Sequence, residues 1–469
     1  MVRPFLLFIC LAGVVASGAE PFDPAALKDL EATLDKAIAK KTPAGAVLWL
    51  EREDQKVSWV KGARALAPAR EEMTADTIFD AASLTKVMAT APAIMILHEQ
   101  GKVELDAPVQ RYLAGFTGEG REEIRIRHLL THTSGLKPGI PKDPPWSGYE
   151  EGIRRAVASV PEAPPETFFR YSDINFILLG EVVRAVSGQS LDAYAQQQVF
   201  TPLKMEATRF LPPAEWQARI APTEKDEHDN LLRGVVHDPT ARRMGGVAGH
   251  AGVFTSMSDV VRFARMALRG GEMDGIRILK EETVRKMQAV QTPITVLERR
   301  GLGWDIESFY SKPRGQLFPG GSFGHTGFTG NSLWIDPFSK SFVVFLSSRL
   351  HPQGGGSVRE LYEEIGTAAA KCIRGFDFKQ VSGAIPKREP TDVPTVLNGV
   401  DVLERDGFGA LSGLRVGLIT NHTGINAERV STIDLLHRAP KVKLRALFSP
   451  EHGIRGALDQ AKIGDEADK

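Results

Sequence analysis

Apolar runs near both ends of the first 375 residues most constrain the fold of this chain. Residues 45–50 and 57–60 are two apolar runs around a charged turn, which is typical of a β-hairpin. Residues 342–347 form another strand-like run, followed by a helical pattern over 358–373. A helical pattern over 24–40 precedes the hairpin, and the middle is mostly helical. This order predicts an α+β domain with one sheet built from both ends.

The first nineteen residues have the composition of a secretory signal peptide. Arg3 precedes an apolar run over 4–16, and small residues follow up to Ala19. The alternative is an N-terminal membrane anchor, but the run is short for a span. Cys10 follows the bulky Ile9, which disfavours a lipoprotein cleavage site. We therefore expect cleavage near Ala19, a periplasmic or secreted protein, and no stable membrane span after cleavage.

Charge and cysteine content exclude several classes of partner and fold. Lys+Arg and Asp+Glu both total 58, so the formal net charge is zero. Because blocks of like charge are also absent, we expect no nucleic-acid partner. Once the signal is removed, Cys372 is the only cysteine, so the protein relies on its core rather than on a disulfide. Its helical context favours a buried structural thiol over a nucleophile.

Composition changes after residue 376. Residues 377–394 are rich in proline and charge and are typical of a linker. Beyond them a strand pattern, a helix pattern over 431–437 and a second strand pattern indicate one βαβ unit of a parallel α/β layer. The sequence therefore predicts a signal peptide (1–19), a main domain (20–376), a linker (377–394) and a partial α/β segment (395–469).

Ser83 and Lys86 form a Ser-x-x-Lys pair at the start of a long apolar helix pattern. Residues three apart share a helix face, so the hydroxyl and the ammonium can touch. The first N–H groups of a helix lack intrahelical partners and stabilise a developing oxyanion. The pair predicts a serine nucleophile beside an amine. Taken alone, it is better explained as a capping serine near a surface lysine, so the catalytic interpretation needs further motifs.

Two further motifs follow in a characteristic order. Residues 171–173 read Tyr-Ser-Asp before a helix pattern, and residues 325–327 read His-Thr-Gly before a strand pattern. With Ser-x-x-Lys, this order resembles the serine β-lactamase and penicillin-binding-protein family, in particular class C β-lactamases, D-alanyl-D-alanine carboxypeptidases and related esterases. The resemblance covers residues 24–375, including the segments at 128–136 and 301–304. It implies an antiparallel sheet flanked by helices, with an additional helical subdomain.

The resemblance also implies a role for each motif. Ser83 would form the acyl-enzyme, and Lys86 and Tyr171 would take and return its proton. The N–H groups of Phe328 and Ser83 would form the oxyanion hole. His325 and Thr326 would face a substrate carboxylate, and Gly327 and Asp173 would also lie at the substrate.

Asp173 stands where class C enzymes carry asparagine. A carboxylate near Lys86 favours the charged ammonium and raises its pKa. A neutral lysine base near pH 7 would need a pKa about three units lower, which is roughly 4 kcal/mol. We therefore expect Tyr171 to be the general base, with Lys86 charged and stabilising a phenolate-like oxygen.

His325 stands where most β-lactamases carry lysine. Histidine is only partly protonated near neutrality, so we expect the KM of an anionic substrate to rise as pH passes the pKa of His325. We expect weak or no β-lactam turnover. The expected substrates are an ester, a D-amino-acid peptide or a peptidoglycan fragment.

Other polar residues support weaker hypotheses. His132 and Ser134 lie in a loop that fits structural support better than catalysis. His237, Asp238 and His250 have a spacing that fits no strong metal template. We therefore expect neither a metal nor an organic cofactor.

Residues 395–469 resemble the N-terminal part of exo-β-N-acetylmuramidases. The resemblance rests on the stretches 417–424 and 447–456. Glu451, at the end of a strand, has the type expected of a glycosidase acid, and Asn421 and His422 end the neighbouring strand. The alternative for Glu451 is a capping role in a loop.

The main expectation is an exported serine hydrolase acting through an acyl-enzyme on a small-molecule or peptidoglycan-fragment substrate. One alternative is a cell-wall-fragment binding protein without turnover. The other is a truncated exo-β-N-acetylmuramidase fusion that acts in peptidoglycan turnover.

Overall fold

The computed structural model describes residues 21–449 apart from 353, 355, 387–396, 427 and 429. The predicted signal peptide and Glu451 lie outside the described residues. Within the described part of the chain, no helix is long and apolar enough to span a membrane.

Helices and strands follow the order expected from the sequence. The helices are α1 (Pro24–Ala39), α2 (Ala91–Glu99), α3 (Ile126–Leu130), α4 (Tyr149–Val157), α5 (Asp173–Ser187), α6 (Leu191–Ala195), α7 (Pro239–Arg243), α8 (Met257–Leu268), α9 (Glu281–Gln288), α10 (Arg359–Cys372), α11 (Gly399–Arg405) and α12 (Thr432–Arg438). The strands are β1 (Gly45–Arg52), β2 (Gln55–Ala65), β3 (Glu71–Glu72), β4 (Ile78–Asp80), β5 (Arg209–Phe210), β6 (Val253–Ser256), β7 (Glu272–Met273), β8 (Ile276–Arg277), β9 (Arg299–Arg300), β10 (Asp305–Glu307), β11 (Phe323–Gly327), β12 (Asn331–Asp336), β13 (Ser341–Ser347), β14 (Arg415–Ile419) and β15 (Lys443–Phe448).

The main sheet has eight strands in the order β3-β2-β1-β13-β12-β11-β10-β9. Its neighbouring strands pair antiparallel. The hairpin β1–β2 joins β13 directly, with Ala46 opposite Ser347. This confirms the expected α+β fold, in which one antiparallel sheet is built from both ends of the domain.

Alternation along the central strands divides the core into two layers. On β13, Val343 and Phe345 face one cluster, whereas Phe342, Val344 and Leu346 face the other. The first cluster is completed by α1 and α10, and the second by α2, α5 and α8. Because side chains of a strand alternate between faces, a fully apolar strand needs cover on both sides. β13 is therefore a central strand with helices over each face.

The long helix expected after Ser83 is divided in the structure. Residues 86–90 form a π-helical turn, in which the Ala91 N–H donates to the Lys86 carbonyl, and α2 continues from there. Pro92 lacks an N–H and cannot donate the α-helical bond at this point. Wide turns of this kind are frequent at functional sites. The turn places Lys86 at the entry of the helical layer.

The first part of the predicted linker packs on the main domain. The Phe378 ring contacts that of Phe318, with centroids 5.5 Å apart. The Ile385 N–H donates to the Gly320 carbonyl at 2.8 Å. Residues 387–394 lie outside the described residues.

The C-terminal segment contains the expected βαβ unit. β14 and β15 pair parallel, and α12 connects them. Their small core is separate and includes Phe408, Leu435 and Leu436. α11 was not expected. It begins at Asn398, whose side chain accepts from the N–H groups of Val400 and Asp401.

Candidate active site

The nucleophile follows directly after a short buried strand. β4 ends at Asp80, whose carboxylate accepts from the Ala82 N–H at 2.9 Å. Ala82 has a φ of 45°, which turns the chain sharply into Ser83. The first helical residue is Leu84, so Ser83 lies at the helix start, as the sequence predicts.

Lys86 is fully buried and holds three oxygen partners. Its ammonium donates to Ser83 Oγ at 3.0 Å and to the His250 carbonyl at 3.1 Å, and it lies 2.7 Å from Asp173 Oδ1. Burial alone would lower the pKa of Lys86, but the carboxylate of Asp173 outweighs it and raises that pKa overall. Lys86 is therefore an ammonium in the free protein.

Asp173 reaches Lys86 from the first residue of α5. Its side chain remains about one-third exposed, whereas Lys86 is covered completely. A carboxylate at a helix N-terminus is stabilised by the unpaired N–H groups there. The structure thus combines the first two sequence motifs in one buried ion pair that opens toward solvent on the carboxylate side.

Tyr171 lies over the same ammonium. The ring centroid is 4.9 Å from Lys86 Nζ, and the His132 ring stacks on it at 4.5 Å. Its hydroxyl is buried and interacts with the Lys86 ammonium and the Ser83 hydroxyl. Burial raises the pKa of Tyr171 even though the Lys86 charge opposes this. Tyr171 is therefore a neutral phenol in the free protein, next to Lys86 and Ser83.

His132 contacts both the Tyr171 ring and the backbone that follows it. Its Nδ1 accepts from the Ser172 N–H at 3.1 Å, and the Ser134 hydroxyl donates to Asn175 at 2.6 Å. Burial, with Arg300 nearby, lowers the pKa of His132 well below its ordinary value. A neutral His132 therefore fixes the backbone just after Tyr171 while its ring packs against the phenol.

His325 forms the opposite wall on β11. It is buried, and its Nδ1 donates to the Thr326 carbonyl at 2.8 Å. Burial, followed by the charges of Arg300 and Lys86, lowers the pKa of His325 well below its ordinary value. The expectation of partial protonation near neutrality is therefore wrong for the free protein. The reason is burial among cations, which the sequence does not reveal.

Gly327 lies where strand β11 passes the segment that leads to Ser83. A Cβ at this position would be 2.6 Å from the Ala81 carbonyl oxygen, so a side chain cannot be accommodated without a shift. The adjacent turn is fixed to β4, since the Thr329 hydroxyl and the Asn331 amide both donate to the Asp80 carbonyl, at 2.7 and 2.8 Å. Residues 327–328 are thereby held beside the nucleophile.

Phe328 is partly exposed at the edge of the cleft. The Arg349 guanidinium lies 4.5 Å from its ring centroid, and Arg349 Nε donates to its carbonyl at 2.7 Å. The His237 ring stacks on the Phe328 ring, with centroids 5.6 Å apart. His237 Nε2 in turn pairs with Glu224 Oε1 at 2.6 Å. These contacts fix the peptide whose N–H is expected in the oxyanion hole.

A second acid, Asp238, lies near Lys86, and this proximity was not predicted from the sequence. Asp238 pairs with His250 Nε2 at 2.8 Å, and ligand atoms of Asp173, Asp238 and His250 lie within 4.8 Å of one another. Burial would raise the pKa of Asp238, but His250 lowers it overall. His237, considered with this pair from the sequence, points instead to Glu224. The sequence feature that could have indicated this contact is the glycine-rich loop before His250. The His250 carbonyl accepts a hydrogen bond from the Lys86 ammonium.

Of the C-terminal candidates, the structure describes Asn421 and His422. The His422 ring stacks on Phe309 of the main domain, with centroids 4.6 Å apart. Asn421 Oδ1 accepts locally from Thr423. Glu451 lies outside the described residues.

A serine hydrogen-bonded to a buried lysine, a tyrosine over that lysine and a flanking antiparallel strand are the features of a serine acyl hydrolase. The chain belongs to the beta-lactamase family, whose sequence description matches residues 29–367. It is a serine hydrolase of that family. Residues 416–469 match the description "Exo-beta-N-acetylmuramidase NamZ, N-terminal".

Relatives and solved structures agree with this family. Proteins from Escherichia coli O157:H7 and Escherichia coli (strain K12), provisionally named D-alanyl-D-alanine carboxypeptidases, are each 30% identical over 314 residues, or 59% of this chain and 70% of theirs. A class C beta lactamase from Rhodobacter sphaeroides has a TM-score of 0.59 at 19% identity and covers 73% of this chain and 98% of its own. EstCE1, described as a hydrolase with promiscuous acyltransferase activity, gives 0.60 at 21%, covering 74% and 98%. At such identities the likeness shows the fold.

Proposed function

We propose that this protein hydrolyses an ester, a D-amino-acid peptide or a peptidoglycan-derived substrate through an acyl-enzyme on Ser83. It does so in the periplasm or outside the cell, with weak or no β-lactamase activity. The observation that carries the proposal is the ammonium of Lys86, buried between Ser83 Oγ and Asp173 Oδ1. Burying an ammonium is costly, so a site that retains one beside a hydroxyl supports a functional role.

Proton transfer in this site passes through Tyr171. Ser83 Oγ attacks the substrate carbonyl and gives its proton to Tyr171 Oη as the phenol releases its own proton to the leaving group. Tyr171 is a neutral phenol before and after this relay, and the charged Lys86 stabilises the partial negative charge on its oxygen while the two protons move. The N–H groups of Ser83 and Phe328 hold the oxyanion. Water then attacks the ester of Ser83 by the reverse route, and the serine regains its proton.

The substrate lies between Asp173 on one side and His325 and Thr326 on the other. A neutral His325 offers hydrogen bonds rather than a full positive charge, which supports weak binding of β-lactam carboxylates. The names of the relatives support a D-alanyl peptide, and the esterase-like fold neighbours are compatible with an ester. The domain limits at 20–376 and 395–469, with 377–394 between them, remain part of this proposal.

The proposal is tested by covalent labelling and by a hydrolysis screen. A fluorophosphonate probe labels the wild type once, at Ser83, and Ser83→Ala shows no labelling. Esters, D-alanyl peptides, muropeptides and nitrocefin are then compared, with Ser83→Ala as the control. Turnover that survives in Ser83→Ala contradicts the proposal. Binding of wall fragments without labelling or turnover supports the non-catalytic alternative.

The match of residues 416–469 favours a second candidate, exo-β-N-acetylmuramidase activity. Its test is release of N-acetylmuramic acid from muropeptides. Release that survives Ser83→Ala but is lost in Glu451→Ala supports it. Release lost in Ser83→Ala contradicts it.

A further inference from the structure

The ligand-binding edge of the small parallel sheet faces the main domain. β14 and β15 run parallel, so both end at one edge, at Ile419 and Phe448. In parallel α/β layers, ligands bind at the carboxyl ends of the strands. Asn421 and His422 follow β14 at this edge, and the His422 ring stacks on Phe309 at 4.6 Å with an interplanar angle of 25°. The edge that would receive a ligand is therefore turned toward the hydrolase.

Phe309 joins the two parts of the chain. The Arg359 guanidinium carbon, at the start of α10, lies 3.4 Å from the Phe309 ring centroid. Arg359 Nη2 also donates to the Phe309 carbonyl at 3.1 Å. A cation over an aromatic face is attracted to it, and the hydrogen bond fixes the backbone. Phe309 is thus anchored to the hydrolase while its ring contacts the C-terminal segment.

A continuous line of rings leads from this joint to the catalytic tyrosine. Phe309 contacts Tyr310 edge-on at 5.5 Å, and Tyr310 lies 5.1 Å from Tyr171. Phe309 and Tyr310 are 43% and 38% exposed, and neighbouring exposed rings form an apolar patch of the kind that marks binding sites. We name these four residues, Tyr171, Tyr310, Phe309 and His422, the aromatic file.

We infer that the aromatic file is one binding surface shared by both parts of the chain, and that it holds the amino-sugar of a substrate whose peptide reacts at Ser83. This inference rests on the proposed function. A sugar ring presents apolar C–H faces and polar edges, which suit aromatic rings and the polar groups of Asn421 and His422. The muramidase match of residues 416–469 supports a sugar at this edge. About four or five extended residues, at about 3.3 Å each, reach along the file.

The test compares two substrates in the full-length protein. One is an N-acetylmuramoyl pentapeptide ending in D-alanyl-D-alanine, and the other is the same pentapeptide without the sugar. The wild type prefers the sugar-bearing peptide, measured as the ratio of the two kcat/KM values. In His422→Ala and Phe309→Ala this ratio falls about three- to tenfold, the range expected for loss of one aromatic contact. A wild-type ratio of one, or a ratio unchanged in both variants, overturns the inference.

His437→Ala is the matched control. His437 is exposed in the last turn of α12, and a crossover helix runs antiparallel to its strands, so this turn lies at the opposite edge of the sheet. The ratio stays at its wild-type value in this variant. A fall equal to that in His422→Ala would mean a general loss of structure and would overturn the inference.

Two outcomes separate this inference from the proposed function. If D-alanine release depends on Ser83 but has the same kcat/KM with and without the sugar, only the inference fails. If release survives Ser83→Ala, the proposed function fails. Calorimetric binding of the two peptides to Ser83→Ala gives a readout without turnover, and equal affinities overturn the inference.

Discussion

Lys86 and Asp173 determine which group can exchange the proton of Ser83. The ammonium is buried with a carboxylate at 2.7 Å, so it remains charged, and the phenol of Tyr171 is the partner left for proton transfer. An asparagine at position 173 would keep the size of the side chain and remove the charge that opposes desolvation of Lys86. The two forms therefore differ mainly in the pKa of the lysine.

Asp173→Asn lowers the pKa of Lys86, because burial then acts without the opposing carboxylate. Activity that needs a charged lysine is lost as pH rises through that pKa, so the alkaline limb of kcat/KM moves to lower pH in the variant. The wild-type limb lies above about 10.5, the ordinary lysine pKa, so a pH–rate profile from pH 6 to about 10.5 shows an alkaline limb only in the variant. An alkaline limb that stays in place or moves upward contradicts the assignment of a charged Lys86.

His325 gives a second test, in which the expected pH dependence of KM differs from that of an ordinary histidine. Its pKa lies well below the ordinary histidine value because it is buried near Arg300 and Lys86. It is therefore neutral across the neutral range, and protonation strengthens carboxylate binding only in acid. We expect the KM of an anionic substrate to stay flat from about pH 6 to 8, across the ordinary histidine pKa of about 6.5. A KM that rises steeply near pH 6.5 would show a charged histidine in the cleft.

Between elements, the most informative contact joins the sheet to α8. Glu51 on β1 is fully buried, and its carboxylate accepts two bonds from the Arg265 guanidinium, at 2.6 and 2.8 Å. The Trp49 indole N–H donates to the same carboxylate at 2.9 Å. This pair fixes α8 against β1 close to the turn of the β1–β2 hairpin.

Arg265→Met leaves the Glu51 carboxylate buried without its cation and lowers the free energy of unfolding by about 3–5 kcal/mol. The double variant Glu51→Leu with Arg265→Met removes both charges and loses much less. Urea denaturation followed by circular dichroism measures both values. Equal losses in the two proteins would mean that packing, rather than the unpaired charge, sets the cost.

The elements and the motif residues could be predicted because local spacing encodes them. Ser83 and Lys86 are three residues apart, and residues 342–347 form a nearly continuous apolar run that is typical of a buried strand. Other parts could not be predicted, because they depend on which loops meet. His250 reaches Lys86 across 164 residues, and nothing in the period of its glycine-rich loop identifies that partner. Arg300 lies on a strand of two residues, which is too short for any periodicity.

Within the described residues, the C-terminal core shares no side chain with either core of the main domain. The cluster with α1 and α10 includes Leu34, whereas the C-terminal cluster includes Leu436. Clusters without shared side chains can lose structure independently. We therefore expect the main domain and the C-terminal segment to unfold separately.

We expect two transitions in scanning calorimetry. Leu34→Ala lowers the midpoint of the larger transition only, and Leu436→Ala that of the smaller one only, since each removes a buried leucine at a cost of about 2–5 kcal/mol. Each variant serves as the control for the other. A single transition that shifts in both variants would show that the two parts unfold as one unit.

The pairing of β1 with β13 has a consequence for the time at which the hydrolase matures. Ala46 finds its neighbour at Ser347, so the central sheet stays incomplete until about three hundred more residues have left the ribosome. A nascent chain of this kind stays open for most of its synthesis and completes its central sheet only near the end of the domain.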